Sequence, residues 1–252
     1  MQYNSYIVSE TKTAFSIPMQ TPIIKKNLKQ KAFTLAETLI TLSIIGVVAA
    51  MTVPTLMANM NKQSYVTGLK KAYSNLQNAW NMIPITENCP AGDYECAGFF
   101  ERIPGPVGST TYITTNIDGY NFNNQREKKY IYLFSKHFKN SKLYLNNENG
   151  FCDLINVPYD NNIQHACFRS EDGMIFKSYE ASAGNNTGIS VDVNGTKGPN
   201  KIGYDQFVFR IKEEGWKFIP EGTEYNGWKY CKTASVGMHC TARILKEGKM
   251  DY

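Results

Sequence analysis

The sequence predicts an α+β protein in which a long N-terminal helix, membrane-spanning in its first half, packs on a C-terminal antiparallel sheet. Three observations predict this fold class. An apolar segment of 24 residues runs from Phe33 to Leu56, a helical pattern of apolar residues continues beyond it, and short strand-like runs bounded by turn residues follow near the C-terminal end.

The apolar segment is long enough to cross a membrane. As a helix, 24 residues span about 36 Å, against a bilayer core of about 30 Å. A cleaved secretory signal is the competing interpretation, but the apolar stretch exceeds an ordinary signal core, and no small-residue cleavage site with a polar start follows it. Lysines just before the segment predict that everything after Leu56 lies outside the cytoplasm.

The helical pattern continues past Pro54 with polar residues entering. Proline is tolerated in membrane helices, so we expect Pro54 to bend the helix rather than end it, and we expect the end near Met82, before Pro84. The apolar residues of this pattern recur mostly at three- and four-residue steps and are Leu56, Met60, Val66, Leu69, Tyr73, Leu76 and Trp80. The amphipathic half is expected to pack against the globular body through the last four of them.

The remainder of the chain predicts a mixed body. Glycine and proline are frequent over 89–109, which predicts a loop. Helical spacing of apolar residues over 123–140 favours a helix, although the run 130–134 is also compatible with the start of a strand. The runs 174–180, 188–193 and 206–212 each lie between turn residues and predict an antiparallel meander.

Six cysteines fall after the apolar segment, on the side where disulfides form. Their spacing favours three sequence-local pairs, although six cysteines allow 15 connectivities. These pairs are Cys89 with Cys96, Cys152 with Cys167, and Cys231 with Cys240. A zinc site is the alternative, but the chain has no CxxC and its three histidines lack paired ligand spacing.

Charge and motifs argue against two classes of function. Five basic residues and one acid precede Ala32, so this segment carries most of the formal net charge of +5 and the remaining chain is close to neutral. A near-neutral body does not favour a nucleic-acid surface made by bulk electrostatics. The chain contains no GxSxG, HExxH, Walker or GxGxxG motif, so we expect that it is not an enzyme.

One carboxylic acid, Glu37, lies inside the apolar segment, where it costs about 2.5 to 3.5 kcal/mol on insertion scales and therefore implies a partner or a function. Lys29 and Lys31, then Ala32, Phe33 and Glu37, resemble the N terminus of type IV prepilins and of the related pseudopilins of type II secretion. Pro54 also falls where such helices often carry a proline. The resemblance covers about 25 residues and implies a pilin-like fold.

The resemblance also implies processing and partners. A prepilin peptidase would cut between Ala32 and Phe33 and N-methylate the Phe33 amine, and Glu37 would then pair with the Phe33 amine of a neighbouring subunit. Two departures stand out: Ala32 replaces the usual glycine, and the leader is long. Met19 is an alternative start that would give a leader of more usual length.

The segment 191–209 resembles the terminal sheet segment of many bacterial prepilin-type proteins. Some pseudopilins bind calcium in this region. Asp192, Asn194 and Asp205 offer the oxygen ligands that calcium prefers. Lys197 and Lys201 would oppose a cation, and a β-connection without metal explains the same glycine, asparagine and proline residues. Calcium is therefore a candidate ligand beside the alternative of no cofactor.

These observations divide the chain into a basic leader over 1–32, a transmembrane and assembly helix over 33–56, the amphipathic half of that helix over 57–83 and a disulfide-stapled body over 84–252. We expect a subunit of a type IV pilus or a type II secretion-like filament. Its expected partners are other pilin subunits, the peptidase, an inner-membrane assembly platform and membrane lipid. The alternative is a pilin-anchored tip module for adhesion or DNA uptake, which a basic groove or an aromatic patch would favour. The sequence leaves open which filament system is served and whether the subunit is major or minor.

Overall fold

The computed structural model describes most of the chain after the basic leader. The described residues are 33–94, 96–97, 102–104, 110–112, 116–117, 119–121, 126–146, 148–156, 166–181, 186–212, 215–224, 230–231 and 237–252. The chain divides into two units, residues 1–50 and residues 51–252. One helix, α1 (Leu35–Thr86), contributes residues to both units.

In the first unit, α1 carries an exposed apolar surface. Nearly every described side chain between residues 33 and 50 is exposed. An 18-residue window of α1 has a mean hydropathy of 2.1, so the helix is long and apolar enough to cross a membrane.

The second unit is an α+β body. A six-stranded antiparallel sheet has the order β10-β9-β8-β7-β6-β5, so neighbours in sequence are neighbours in the sheet. Its strands are β5 (Lys142–Tyr144), β6 (Cys167–Arg169), β7 (Ile175–Ala181), β8 (Asn186–Asp192), β9 (Gln206–Lys212) and β10 (Lys217–Pro220). The predicted meander is confirmed and corresponds to β7, β8 and β9.

Smaller elements complete this unit. Two short hairpins pair β1 (Arg102–Pro104) with β2 (Thr110–Tyr112) and β3 (Asn116–Ile117) with β4 (Tyr120–Asn121). Strand β1 therefore lies inside the stretch that glycine and proline predict as a loop. Helix α2 (Arg126–Ser135) confirms the helix predicted over 123–140, a 3-10 segment spans Glu148–Leu154, and α3 (Cys240–Glu247) lies near the C-terminal end.

The second half of α1 packs on the sheet as its periodicity predicts. Leu69, Leu76 and Trp80 are fully or almost fully buried, and the Tyr73 ring stacks on Phe209 with centroids 5.7 Å apart. Gly68 lets the helix approach the loop after β8, since a Cβ at that position would lie 3.0 Å from the Val193 side chain. Leu56 and Met60, which belong to the same sequence pattern, are exposed. Burial in the described part of α1 therefore begins close to Tyr65.

The end of α1 differs from the sequence-based prediction. The helix includes Pro84 and ends at Thr86, rather than near Met82. Ile83 and Pro84 are both buried and continue the packed face for one more turn, which offsets the cost of a proline inside the helix. The Cys89 N–H then donates to the Pro84 carbonyl at 2.8 Å, which turns the chain into the first disulfide loop.

Three disulfides staple the body. Their S–S bonds join Cys89 to Cys96, Cys152 to Cys167 and Cys231 to Cys240, with Cα separations of 5.8, 5.6 and 4.7 Å. These are the three sequence-local pairs that the spacing favours.

Candidate functional site

The first turn of α1 contains a reciprocal capping box formed by Thr34 and Glu37. The Glu37 N–H donates to the Thr34 hydroxyl at 3.2 Å, and the Thr34 N–H and hydroxyl each donate to Glu37 Oε2 at 2.9 Å. This arrangement satisfies backbone donors that a helix start otherwise leaves free. The capping box was not predicted from the sequence, although a threonine followed three residues later by a glutamate is its ordinary signature.

The capping box holds the Glu37 carboxylate close to Phe33. Both donors reach the same oxygen, and a carboxylate has about four acceptor positions, so Glu37 retains capacity for a further partner. No lysine, arginine or histidine occurs between Phe33 and Asn61, and Lys62 is the first basic side chain of α1. The sequence from Phe33 to Asn61 therefore offers Glu37 no cationic side chain as a partner.

The helix surface around this site is almost uniformly apolar. Phe33 is 83% exposed and Leu35 is 78% exposed. The other exposed large apolar residues between Leu35 and Met60 are Leu39, Ile40, Leu42, Ile44, Ile45, Val47, Val48, Met51, Val53, Leu56, Met57 and Met60. A surface of this kind requires lipid or another protein to cover it.

The other predicted residues of this segment have different outcomes. Pro54 lies inside α1, which continues on both sides of it, so the prediction that proline does not end the helix is confirmed. Because Pro54 has no N–H, the Ala50 carbonyl lacks its usual helical donor. Ala32 lies outside the described residues, and the cut before Phe33 stays a prediction.

The calcium candidates lie in the connection between β8 and β9. Asp192 and Asp205 are both fully buried. Asp205 accepts the N–H groups of Asn200 and Lys201 at 2.8 and 2.7 Å, and Asp192 accepts the N–H of Asn194 at 3.1 Å. The Asn194 side-chain NH₂ donates to the Gly198 carbonyl at 3.0 Å.

Gln206 joins this loop to the 3-10 segment. Its Nε2 donates to Asp192 Oδ2 at 2.9 Å and to the Leu154 carbonyl at 2.8 Å, while its Oε1 accepts the Asn156 N–H at 3.0 Å. All four carboxylate oxygens of the two aspartates therefore accept N–H groups. Among the described residues, no group of three or more histidine, cysteine, aspartate or glutamate side chains could hold a metal ion. These hydrogen bonds close the loop, and calcium binding stays a prediction.

Burial and charge within this loop perturb two titratable groups. Burial, reinforced by the nearby charge of Asp205, raises the pKa of Asp192 to about 7. Burial and the charges of both aspartates also raise the pKa of Tyr65, which faces the loop from α1. The two carboxylates are thus close enough to repel each other, and a proton or a cation would relieve that repulsion.

Together these features define a class of protein: an apolar N-terminal helix that can cross a membrane, continuous with the packed helix of a disulfide-stapled α+β body in a pilin-like layout. Residues 27–53 match the prokaryotic N-terminal methylation motif, the signature of type IV prepilin-like proteins. The match includes Ala32, Phe33 and Glu37 and ends one residue before Pro54. Comparison with curated proteins and with solved structures finds no match for the chain.

Proposed function

We propose that this chain is a structural, non-catalytic subunit of a filament of the type IV pilus or type II secretion class. A prepilin peptidase would cut it between Ala32 and Phe33 and N-methylate the new Phe33 amine. The observation that carries this proposal is the methylation motif over 27–53, whose apolar segment forms an exposed helix instead of part of a folded core.

Before assembly, the mature subunit would be held in the inner membrane by the first half of α1. The body after it would lie outside the cytoplasm, where its disulfides can form. Lipid would cover the apolar surface of α1 at this stage. An assembly platform would then extract the subunit, and neighbouring helices in the filament would replace the lipid.

Glu37 would supply specificity in this exchange. In the monomer its carboxylate is satisfied in part by the capping box with Thr34. In the filament the Phe33 amine of a neighbour would pair with it. A charge left unpaired in an apolar interior costs several kcal/mol, so only an arrangement that brings amine and carboxylate together is favourable. The pair would therefore set the axial register of the subunits.

The start of the mature protein tests the first step. Intact mass and N-terminal sequencing of the native protein should give a chain that begins at N-methylated Phe33. An unmethylated terminus, or one at a different residue, would contradict the proposal.

A further inference from the structure

The second unit contains a groove to which the proposed filament function assigns no contact. Its volume is 560 Å³, within the range of protein binding sites. One wall is a stripe of α1 residues at helical spacing, and the others are the turn after α2 and the turn between β6 and β7. The lining residues are Lys71, Asn75, Asn78, Ala79, Met82, His137, Phe138, Lys139, Ser170, Glu171 and Asp172.

The charged side chains that line the groove sum to no net charge. Lys71 Nζ lies 2.8 Å from Asp172 Oδ2, and the Asn140 amide donates to Glu171 at 3.1 Å. Lys139 supplies the second positive charge, so two lysines face two acids. Burial, with the nearby Lys136, lowers the pKa of His137, which keeps this ring neutral at pH 7. A charged ligand would find no surplus of opposite charge among these side chains.

The floor of the groove is apolar. Ala79 and Phe138 form it with Met82, whose side chain is 45% exposed. Asn75 and Asn78 lie beside it on the same face of α1. Such a site suits an uncharged, largely apolar occupant.

The same unit has an uncharged apolar segment whose large side chains are exposed. Met51, Val53, Leu56, Met57 and Met60 are all exposed on α1. No charged residue occurs between Thr38 and Asn61. At about 1.5 Å per residue, residues 51–60 extend over about 14 Å, and the groove, from Lys71 to Met82, extends over about 17 Å.

We propose that the groove beside α1 receives side chains of the Met51–Met60 segment of a second copy of this chain. The inference rests on the proposed filament function and names the contact surface within it. The groove and the Met51–Met60 segment lie at different positions along α1. Each copy can therefore bind the segment of one neighbour in its groove and insert its own segment into the groove of another. A head-to-tail contact of this type does not close and extends into a fibre. The centre of the segment and the centre of the groove are about 21 residues apart on α1. With the two helices parallel, and about 1.5 Å per residue, contacting copies are therefore displaced by about 32 Å along the helix axis.

Disulfide crosslinking of the full chain, coexpressed with its assembly machinery, tests this contact. The double variant Met60→Cys/Met82→Cys should give a ladder of crosslinked multimers on oxidation of sheared filaments. The two positions are about 33 Å apart in one helix, so an intramolecular bond is excluded. The matched control is Met60→Cys/Asn81→Cys, because Asn81 is exposed next to Met82 but does not line the groove.

A charge in the groove supplies a second measurement. Met82→Glu should lower filament yield at least about tenfold, since burying a carboxylate against an apolar helix costs more than 1.4 kcal/mol. Asn81→Glu should leave the yield unchanged. If the parent forms filaments, equal crosslinking by the two double variants, or a normal yield from Met82→Glu, would overturn the groove contact and leave the filament function intact. Failure of the parent to form filaments would overturn both.

Discussion

Replacing Gly222 by alanine tests how α3 is held against the end of β10. Gly222 has a φ of +93°, and a Cβ there would lie 3.0 Å from His239 Cα and closer still to the His239 carbonyl oxygen. The neighbouring Glu221 carbonyl accepts the Ala242 N–H at 3.1 Å, so this contact sits where α3 is tied to the end of β10. The atoms nearest to this Cβ all belong to the His239 backbone, so no flexible side chain can move aside to make room for an alanine methyl group.

Two effects set the magnitude. A positive φ costs an alanine about 1 to 2 kcal/mol, and forcing a methyl group into a packed site costs about 1 to 3 kcal/mol more. We therefore expect Gly222→Ala to lower the free energy of unfolding by about 2 to 5 kcal/mol, which is a large part of an ordinary stability of about 5 to 15 kcal/mol.

Gly92 provides the matched control. Its φ is +83°, but a Cβ there meets nothing within 4 Å. Gly92→Ala should therefore show the backbone cost alone, and the entropy that alanine removes from the unfolded chain is the same in both variants. Denaturant unfolding of the full chain in detergent, followed by tryptophan fluorescence, gives the two free energies. Equal destabilisation by the two variants would refute the close approach of Gly222 to His239.

Three further predictions concern the body and its loop. Alkylation of the native protein without reductant should label no cysteine, and stable labelling of Cys231 or Cys240 would contradict the last disulfide, to which chain-entropy estimates assign about 2 to 3 kcal/mol. Because the pKa of Asp192 is raised to about 7 in the folded state, this carboxyl group holds more protons in the folded than in the unfolded chain between about pH 4 and 7. Its contribution to the free energy of unfolding should therefore fall as pH rises through this window, by up to about 4 kcal/mol at about 1.36 kcal/mol per pH unit. Denaturant unfolding of the parent and of Asp192→Asn at a series of pH values measures this contribution as the difference between the two, and a difference that does not change with pH would contradict the assignment. If hydrogen bonds alone close the loop, millimolar calcium should leave the melting temperature unchanged relative to magnesium, whereas a calcium-specific rise would contradict closure by hydrogen bonds alone.

The elements with strong local patterns could be predicted from the sequence. Apolar residues at helical spacing predicted the packed face of α1, and runs bounded by turn residues predicted β7 to β9. The disulfide pairs followed from the proximity of the cysteines in the sequence. Each of these signals lies within a few residues of the element that it predicts.

The features that were missed depend on contacts between distant segments. Strand β1 pairs with β2 inside a glycine- and proline-rich stretch, where local composition indicates only a loop. The extra turn of α1 past Met82 depends on burial of Ile83 and Pro84 in the body. Gln206 bonds to Leu154 and Asn156, about 50 positions away, and no spacing rule indicates such a contact. The groove beside α1 likewise forms only when turns from the sheet and from α2 come together.

The capping box of Thr34 and Glu37 is a different kind of omission. Its signature is local, but the position of Glu37 in an apolar segment predicted a partner in another subunit and not a hydrogen bond at the helix start. The structure adds a role within the monomer, so a variant of Glu37 can act through the helix start as well as through the filament. Experiments on Glu37 must separate these two roles.

Filament yield relative to processed monomer, measured for the parent, Glu37→Val and Glu37→Gln with the cognate machinery, tests the central claim most directly. Glutamine can keep the capping box with Thr34 but carries no charge, and valine removes both while relieving about 2.5 to 3.5 kcal/mol of insertion cost. If the carboxylate pairs with the Phe33 amine of a neighbour, both variants are processed and accumulate as monomer in the membrane, and sheared filaments are lost. Normal filament yield from Glu37→Val would contradict any role for the acid in assembly, and normal yield from Glu37→Gln alone would restrict that role to the capping box.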